Sequence, residues 1–315
     1  EKEIQLNGLN VLGEWVLYAP YADRTCIRNK FAEYLYRKMG HKSTKSLYVD
    51  LYMNDQYKGL YELRQKINLK NLRLNQSICI LKIDKNTGRK RESTHSFVSP
   101  ETKIEIHDIA PLIKSKEAFD HIHNFENALL NRKSHLESFI DLNSFVDYFL
   151  FSEFANSPDA YRSSCYFQVL KDGRIAMGPV WDYDLAFGNS TLLGSLNTFA
   201  WRYTVSESKI PYHFPAPKWW SLLVDNPEFK LASQKRWLIL RKSLLSDLTI
   251  NSSVDSLSRS IPPSAIERNF NTYQILGKRI PWAAPPQKTY QEEINYLKKY
   301  MNERAKWMDI NLSRI

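Results

Sequence analysis

The chain has 315 residues, of which 43% are hydrophobic and 25% are charged. This balance excludes an intrinsically disordered chain, and the length is sufficient for one large core or for two lobes. No stretch approaches the roughly 18 uninterrupted apolar residues that a membrane-spanning helix needs, so no transmembrane segment is predicted. The net charge of +10 favours anionic partners such as nucleotides. The basic residues are scattered, however, and no nucleic-acid partner is expected.

The sequence begins at Glu1 without an initiator methionine or an apolar signal segment. A leader removed during maturation and a sequence that starts partway through a longer protein are both open explanations. The cysteines lie far apart and form no C-x-x-C pair, which argues against a zinc site and a disulfide framework. Each of them is predicted to be a small buried side chain: Cys26, Cys79 and Cys165.

The first predicted helix runs from about Ile27 to Met39. Its apolar side chains recur at helical spacing. Asp23 and Thr25 are candidate caps before this helix, and Gly40 ends it.

Two strands, SLYVDLYM and YKGLYELR, are predicted to follow as a β-hairpin that turns at Asn54 and Asp55. A further strand, SICILKI, ends at the basic loop KNTGRK.

Helical periodicity then predicts helices over roughly Ser115–Leu130 and Leu142–Asn156. The second is apolar on most of its surface and should be buried. A second hairpin, in CYFQVLKDGRIAMGPVW, is predicted to turn at Asp172 and Gly173. From about Lys218 onward the sequence is mainly helical.

This order of elements predicts an α+β fold with two unequal lobes. Residues 1–110 form the smaller lobe, with a helix and a small sheet. Residues 111–315 form the larger, mainly helical lobe, which contains the second hairpin. The boundary is expected between about Ile109 and Asp141.

The second hairpin leads into GPVWDYDLAFGN, which contains two acids. If its return strand continues through Asp184, side chains alternate and Asp182 projects to the same side as Asp184. Two carboxylates so close repel each other, and they require a cation, an arginine or solvent. Oxygen ligands suit Mg²⁺ or Mn²⁺, with water and phosphate oxygens completing the shell. A turn cap and a surface ion pair explain the same spacing equally well.

Asp159 follows the predicted buried helix and precedes the hairpin that delivers the two acids. An acid in a catalytic loop, followed by a metal-binding acid after a hairpin, is the order of parts in kinase-like sites. By itself, an aspartate at such a place is more often a turn residue.

Four long segments carry a family resemblance: WVLYAPYADRTCIRNKFAEYLYRKMG, LYMNDQYKGLYELRQKI, NSPDAYRSSCYF and GRIAMGPVWDYDLAFGN. Their order resembles the spore coat protein H (CotH) kinase family, particularly its Bacteroidetes-type members. The similarity runs from Trp15 to the closing helices. It implies an atypical, extracytoplasmic protein-kinase-like fold that binds ATP and a divalent metal, Mg²⁺ or Mn²⁺, between two lobes.

By this resemblance Asp159 matches the catalytic-loop acid, and Asp182 matches the metal-binding acid. Asp184 and Asn189 belong to the same motif, Asp184 as a candidate metal ligand and Asn189 as a candidate cofactor-binding residue. The sequence departs from the family at Gln65, a candidate cofactor-binding position where the family usually has glutamate. A neutral amide can orient a lysine or a water, but it supplies no charge for an ion pair.

The family also has a glycine- and serine-bearing stretch and a lysine segment of the type PKKSY before W-x-L-Y-A-P-Y. This sequence contains neither. If those elements bind the nucleotide phosphates, this sequence lacks the family's phosphate clamp. The sequence is then either a piece of a longer protein or a degenerate relative. Lys82 and Arg28 are the candidate replacements. Lysine at a strand end commonly extends to solvent, whereas a guanidinium on a largely apolar helix needs an acid or a bound anion.

A group of aromatic side chains surrounds the segment PYHFPAPKWW. Such residues can stack on a glycan or clasp a peptide, although packing in the core is the favoured interpretation. The group consists of Trp201, Tyr203, Tyr212, Trp219 and Trp220.

Three functions are compatible with these residues. The leading one is a kinase-like phosphotransferase from ATP to a protein or another hydroxyl acceptor, with Asp159 orienting the acceptor and Asp182 holding metal. The first alternative is an inactive pseudokinase or a peptide- or glycan-binding module, which Gln65 and the missing clamp favour. The second is a metal-dependent phosphohydrolase with Asp184 as a third acid, although such sites normally have more ligands.

Overall fold

The computed structural model describes residues 4–6, 9–11, 14–85, 94–95, 102–109, 115–132, 135–210 and 213–315. The strands in these ranges are β1 (Ile4–Leu6), β2 (Leu9–Val11), β3 (Trp15–Tyr18), β4 (Ser46–Met53), β5 (Gln56–Gln65), β6 (Ser77–Lys85), β7 (Thr94–His95), β8 (Thr102–Ile109), β9 (Cys165–Leu170) and β10 (Ile175–Met177). The α-helices are α1 (Arg28–Lys38), α2 (Ser115–Leu130), α3 (Leu142–Ala155), α4 (Arg202–Glu207), α5 (Trp219–Val224), α6 (Pro227–Arg241), α7 (Asp247–Arg259), α8 (Pro263–Thr272) and α9 (Tyr290–Asn311).

The described strands form antiparallel sheets. In one sheet β3 and β4 flank β5; a second sheet has the order β10-β9-β6-β8-β7, and β1 pairs with β2 alone. The sheets draw mostly on the N-terminal part, while α5 to α9 fill the C-terminal third. The predicted α+β class, with small sheets and a larger helical part, is therefore confirmed.

Both predicted hairpins are present. β4 and β5 turn at Asn54 and Asp55, which have φ of 50° and 61°. Positive φ at both central residues is typical of the tight turn whose twist matches the flanking strands. β9 and β10 turn at Asp172 and Gly173, where the glycine has φ of 83°.

Helix α1 begins one residue later than predicted. The carboxylate of Asp23 accepts the backbone N–H of Arg28 at 2.8 Å and that of Thr25 at 3.0 Å. One acid thus satisfies donors at the start of the helix, as a capping residue does. The predicted end at Met39 and Gly40 is confirmed.

Helix α3 lies in the middle of the main core, as its apolar sequence predicts. Asp141 caps it by accepting the N–H of Ser144, and Asn156 ends it in the left-handed conformation with φ of 49°. Nearly all of its residues are buried, and it contacts α6, α9 and β10.

The five-stranded sheet combines strands from before and after the predicted lobe boundary. β6 pairs with β9 from Ser77 to Ile83. Leu81 and Ile83 belong to the main core, whereas Ile80 faces the other side. There it joins a small apolar cluster, named here the sheet-face cluster, with Ile67, Leu72, Leu74 and Tyr166, and with Leu69 and Trp181 packed against it. The division into two lobes at residue 110 stays a prediction.

The three cysteines are free and buried, as predicted. Among the helices in the described ranges, none combines the length and the apolar character that crossing a membrane requires.

Candidate active site

The segment after β10 does not continue as a strand. β10 ends at Met177, and Asp182 has φ of +69°, in the left-handed region. The expected strand alternation through Asp184 was therefore wrong. Trp181 packs against the sheet-face cluster, while Tyr183 is buried in the main core. These two aromatic anchors hold the segment on either side of Asp182 and leave the backbone to turn between them.

The carboxylate of Asp184 lies in a crowded acidic environment. Burial and the charge of Asp182 raise the pKa of Asp184 to about 6, and Asp23 acts in the same direction. The hydroxyl of Tyr18 donates a hydrogen bond to this carboxylate and opposes the shift. Burial and Asp184 raise the pKa of Tyr18 in turn, so the phenol stays protonated. Asp182 and Asp184 therefore interact electrostatically, and they lie in a turn rather than in a strand.

Asp182 itself is half-buried, and Ser164 Oγ lies 3.3 Å from its Oδ2. The Arg64 guanidinium lies 4.1 Å from the centre of the Trp181 ring and interacts electrostatically with Asp182. Arg64 also pairs with Glu33 at 2.7 Å. The charge of Arg64 is therefore shared between Glu33 and Asp182.

The two acids fit a metal that brings other ligands with it. In the part of the chain that the structure describes, no group of three or more His, Cys, Asp or Glu side chains could hold a metal ion. Mg²⁺ is commonly held by one or two carboxylates while water and phosphate oxygens complete its octahedral shell. Because ionising the half-buried Asp184 near Asp182 is unfavourable, a cation there would relieve the repulsion.

Asp159 lies in the turn that follows α3. Its backbone carbonyl accepts the N–H of Arg162 at 3.2 Å and that of Ser163 at 3.0 Å. Its carboxylate lies 3.6 Å from the Arg162 guanidinium and is 38% exposed, so a substrate hydroxyl can reach it. The same turn carries Ser164. Its contact with Asp182 connects the Asp159 turn to residues 181–184, named here the acid segment.

Arg28 is fully buried beside Asp23, with Nη1 bonded to that carboxylate and to Thr25 Oγ1. Its Nε and Nη2 are also buried, and neither has a hydrogen-bond partner among the described residues. The acidic partner expected for this guanidinium is thus Asp23, which in turn acts on Asp184. A direct contact of Arg28 with phosphate stays a prediction.

Gln65 lies at the end of β5, and its side-chain oxygen accepts the backbone N–H of Lys45 at 3.1 Å. Its neighbour Arg64 is the residue of this strand that reaches the acid segment, by stacking on Trp181. The cofactor role of Gln65 stays a prediction.

Asn189 fastens the acid segment to the backbone that follows β3. Its side-chain nitrogen donates to the carbonyls of Ala22 at 2.9 Å and Asp184 at 2.8 Å, which uses both amide hydrogens. Gly188, with φ of +77°, lies against the ring of Tyr300, where an added Cβ would come within 2.4 Å. Both residues therefore shape the segment, and binding of a cofactor by Asn189 stays a prediction.

Lys82 does not extend into solvent as many strand-end lysines do. Its ammonium pairs with Asp84 on the same strand, and each side chain is 17% exposed. Asp84 Oδ1 also accepts the hydroxyl of Ser163 at 2.7 Å. Lys82 is thereby connected to the turn that carries Asp159.

Several site residues were missed by sequence reasoning. Tyr18 and Arg64 lie inside the quoted segments WVLYAPY and GLYELRQKI, so the family resemblance could have singled them out. Ser164 follows Asp159 by five residues, which is the spacing from aspartate to asparagine in the kinase catalytic loop H-R-D-x-x-x-x-N. Asp84 has no comparable signal in the sequence.

The aromatic group around PYHFPAPKWW is mainly part of the core. Trp219 and Trp220 are fully buried, which confirms the favoured interpretation for both. Trp201 and Tyr203 pack against the main core from its edge. Tyr212 lies outside the described residues.

Comparison with known families gives one match. A family model described as "CotH kinase protein" matches residues 1–308. A comparison with curated proteins finds no match. The matched range includes the Asp159 turn and the acid segment.

Proposed function

Because the chain belongs to the CotH kinase family, we propose that it is a phosphotransferase that binds ATP with Mg²⁺ or Mn²⁺. The acceptor is the hydroxyl group of a protein or another molecule. The observation that supports this function best is the electrostatic repulsion between the two half-buried carboxylates of Asp182 and Asp184. The proposal also includes an extracytoplasmic location of the protein, which the family membership implies.

In this proposal Asp182 and Asp184 would hold the metal, and water and phosphate oxygens would be its other ligands. When bound, the cation neutralises charge that develops on the transferred phosphoryl group. Tyr18 keeps the Asp184 carboxylate oriented through its hydrogen bond. Ser164 does the same for Asp182.

Asp159 accepts the proton of the acceptor hydroxyl as its oxygen forms a bond to the γ-phosphorus. The bond from that phosphorus to the β,γ-bridging oxygen breaks, and ADP leaves with the electron pair. The exposed carboxylate of Asp159 suits the role of proton acceptor, because the acceptor molecule must approach from solvent. Arg162 holds the carboxylate from one side at 3.6 Å.

Calorimetric titration of ATP, with and without Mg²⁺ or Mn²⁺, tests the binding half of the proposal. The expected result is metal-dependent binding that weakens at least about 10-fold in Asp182→Asn. Asp172→Asn is a matched control, because Asp172 lies in the turn of the same hairpin and pairs with Arg174 at the surface. Absence of ATP binding by the folded wild-type chain under all conditions would overturn the proposal.

Phosphoryl transfer is then tested with Asp159→Asn. Loss of a general base lowers the rate by roughly 10²- to 10⁴-fold, while ATP affinity should not change. Transfer of labelled γ-phosphate to the protein itself or to water gives the readout. An unchanged rate in this variant would remove Asp159 from its proposed role.

The alternative function is a pseudokinase that binds nucleotide without transferring phosphate. Ser164 lies five residues after Asp159, where the kinase catalytic loop has its metal-binding asparagine. A hydroxyl group is a weaker metal ligand than an amide oxygen, and this favours the pseudokinase. Metal-dependent ATP binding by wild type without any transfer would establish this alternative.

A further inference from the structure

Two adjacent serines in the Asp159 turn contact acids from different parts of the fold. Ser163 Oγ donates to Asp84 Oδ1 at 2.7 Å, and Ser164 Oγ donates to Asp182 Oδ2 at 3.3 Å. Asp84 uses its other oxygen, Oδ2, to pair with the ammonium of Lys82. One dipeptide therefore connects the ammonium of a lysine with the carboxylate expected to hold metal.

A second path connects the same two groups through the sheet. Lys82 lies opposite Tyr166 in the β6–β9 register, and its ammonium is 5.8 Å from the centre of that ring. Tyr166 belongs to the sheet-face cluster, against which Trp181 packs. Asp182 is the next residue along the chain. The polar end of this sheet face therefore lies beside the acid segment.

The pair of Lys82 and Asp84 contributes little to stability by itself. Each side chain is 17% exposed, so the attraction between the two charges is largely offset by the free energy of removing them from water. An ammonium has three donors, of which one carboxylate oxygen takes one. The remaining donors suit the oxygens of a phosphate group.

We infer that Lys82 binds the terminal phosphates of a nucleoside triphosphate, and that the serine pair fixes its spacing from the metal-binding Asp182. Asp84 and Ser163 are positioning residues, because they orient Lys82 without touching the nucleotide. Ser164 positions Asp182. This inference rests on the proposed function, and it supplies a phosphate-binding group within the described part of the chain.

The inference predicts discrimination between nucleotides by the number of their phosphates. In calorimetric titrations with Mg²⁺, Lys82→Met should weaken ATP binding by about 10-fold or more and leave AMP binding nearly unchanged. Lys66→Met is the matched control, since Lys66 pairs with Glu14 at the surface and is 42% exposed. Lys82→Arg keeps the charge and should retain most of the affinity for ATP, which also covers the case in which Lys82→Met fails to fold.

The positioning residues give a smaller effect of the same kind. Ser163→Ala and Asp84→Asn should each lower the ratio of ATP to AMP affinity by a few-fold, and Ser163→Thr, which keeps the hydroxyl, should restore it. A purely structural role would change thermal stability without changing this ratio.

Three outcomes overturn the inference in distinguishable ways. If wild type binds ATP with metal and Lys82→Met has the same ratio of ATP to AMP affinity, the inference is wrong while the proposed function stands. If wild type binds no ATP, the proposed function fails and the inference fails with it. A loss of ATP affinity in Lys66→Met as large as in Lys82→Met would also overturn it, because the effect would then be one of net charge.

Discussion

Two carboxylates in this fold, the buried Glu153 and the half-buried Asp184, have opposite surroundings. Glu153, in α3, accepts hydrogen bonds from the backbone N–H groups of Arg202 at 2.6 Å and Tyr203 at 2.8 Å. The hydroxyl of Tyr161 and the guanidinium of Arg304 complete its shell at 3.0 and 3.2 Å. Burial raises the pKa of Glu153, and all four of these partners lower it.

Asp184 is surrounded mainly by groups that oppose its charge. Burial raises its pKa, and the carboxylates of Asp182 and Asp23 raise it further. The hydroxyl of Tyr18 and the backbone N–H of Leu185 are the groups that lower it.

The difference separates an acid whose charge the protein neutralises by itself from one whose charge the described groups compensate only in part. Glu153 joins helices of the core, because its charge is neutralised by groups from other elements. Asp184 has unfavourable neighbours that a divalent cation would turn into favourable ones.

Replacing the self-contained acid should destabilise the fold. Glu153→Gln leaves the charge of Arg304 buried without its counter-ion, which should lower the free energy of unfolding by about 3 kcal/mol. Urea denaturation at neutral pH measures this, with the exposed Glu117→Gln as control. A loss below about 1 kcal/mol would show that Glu153 does not hold the core together in this way.

Stability should also depend on pH through Asp184. Its folded pKa of about 6 lies above the usual value of 3.8, so the folded state binds the proton more tightly. Without a divalent cation, the free energy of unfolding should therefore fall as pH rises from about 4 to above 6, by about 3 kcal/mol at most. The difference between wild type and Asp184→Asn across this range isolates the effect from other groups. Parallel curves would contradict it.

At neutral pH without metal, Asp184→Asn should be at least as stable as wild type, with a gain of about 1 kcal/mol. The amide removes the repulsion with Asp182 and can still accept the Tyr18 hydroxyl. The same variant should lose the thermal stabilisation that Mg²⁺ with ATP gives to wild type. Scanning calorimetry with and without these ligands measures both changes. A large loss of stability in the ligand-free variant would show that the Asp184 carboxylate stabilises the fold instead of opposing it.

The smallest effect is expected at Tyr18. Tyr18→Phe removes one hydrogen bond to Asp184, which should cost about 1 kcal/mol of stability. Because that bond favours the ionised carboxylate, the pH at which Mn²⁺ binding is half-maximal should rise. Tyr52→Phe, an exposed position in the same three-stranded sheet, is the control. An identical pH profile in Tyr18→Phe and wild type would remove Tyr18 from the metal site.

The elements of the fold could be predicted because their signals are local. The turn residues Asn54, Asp55 and Gly173 lie where the sequence places them, and the apolar helix α3 is buried as its composition requires. Each of these outcomes depends on a few neighbouring residues, whose conformational preferences are known from their side chains.

The site could be predicted only in part, because long-range contacts determine its geometry. The sequence brings Asp182 and Asp184 together, but the backbone between Trp181 and Tyr183 is fixed by two different apolar clusters. No local sequence pattern predicts the left-handed backbone conformation of Asp182. The bond between Ser163 and Asp84 joins positions 79 residues apart, so only the pairing of β6 with β9 reveals it.

The close contact of Gly188 with Tyr300 affects how an active relative can be recognised. Since α9 leaves no room for a side chain at this position, the glycine that ends W-D-Y-D-L-A-F-G is required for folding. A relative that had lost phosphoryl transfer would still need it, whereas it would be free to replace Asp182. Under the proposed function, the aspartates would therefore distinguish active relatives from inactive ones, whereas the glycine would identify the fold alone.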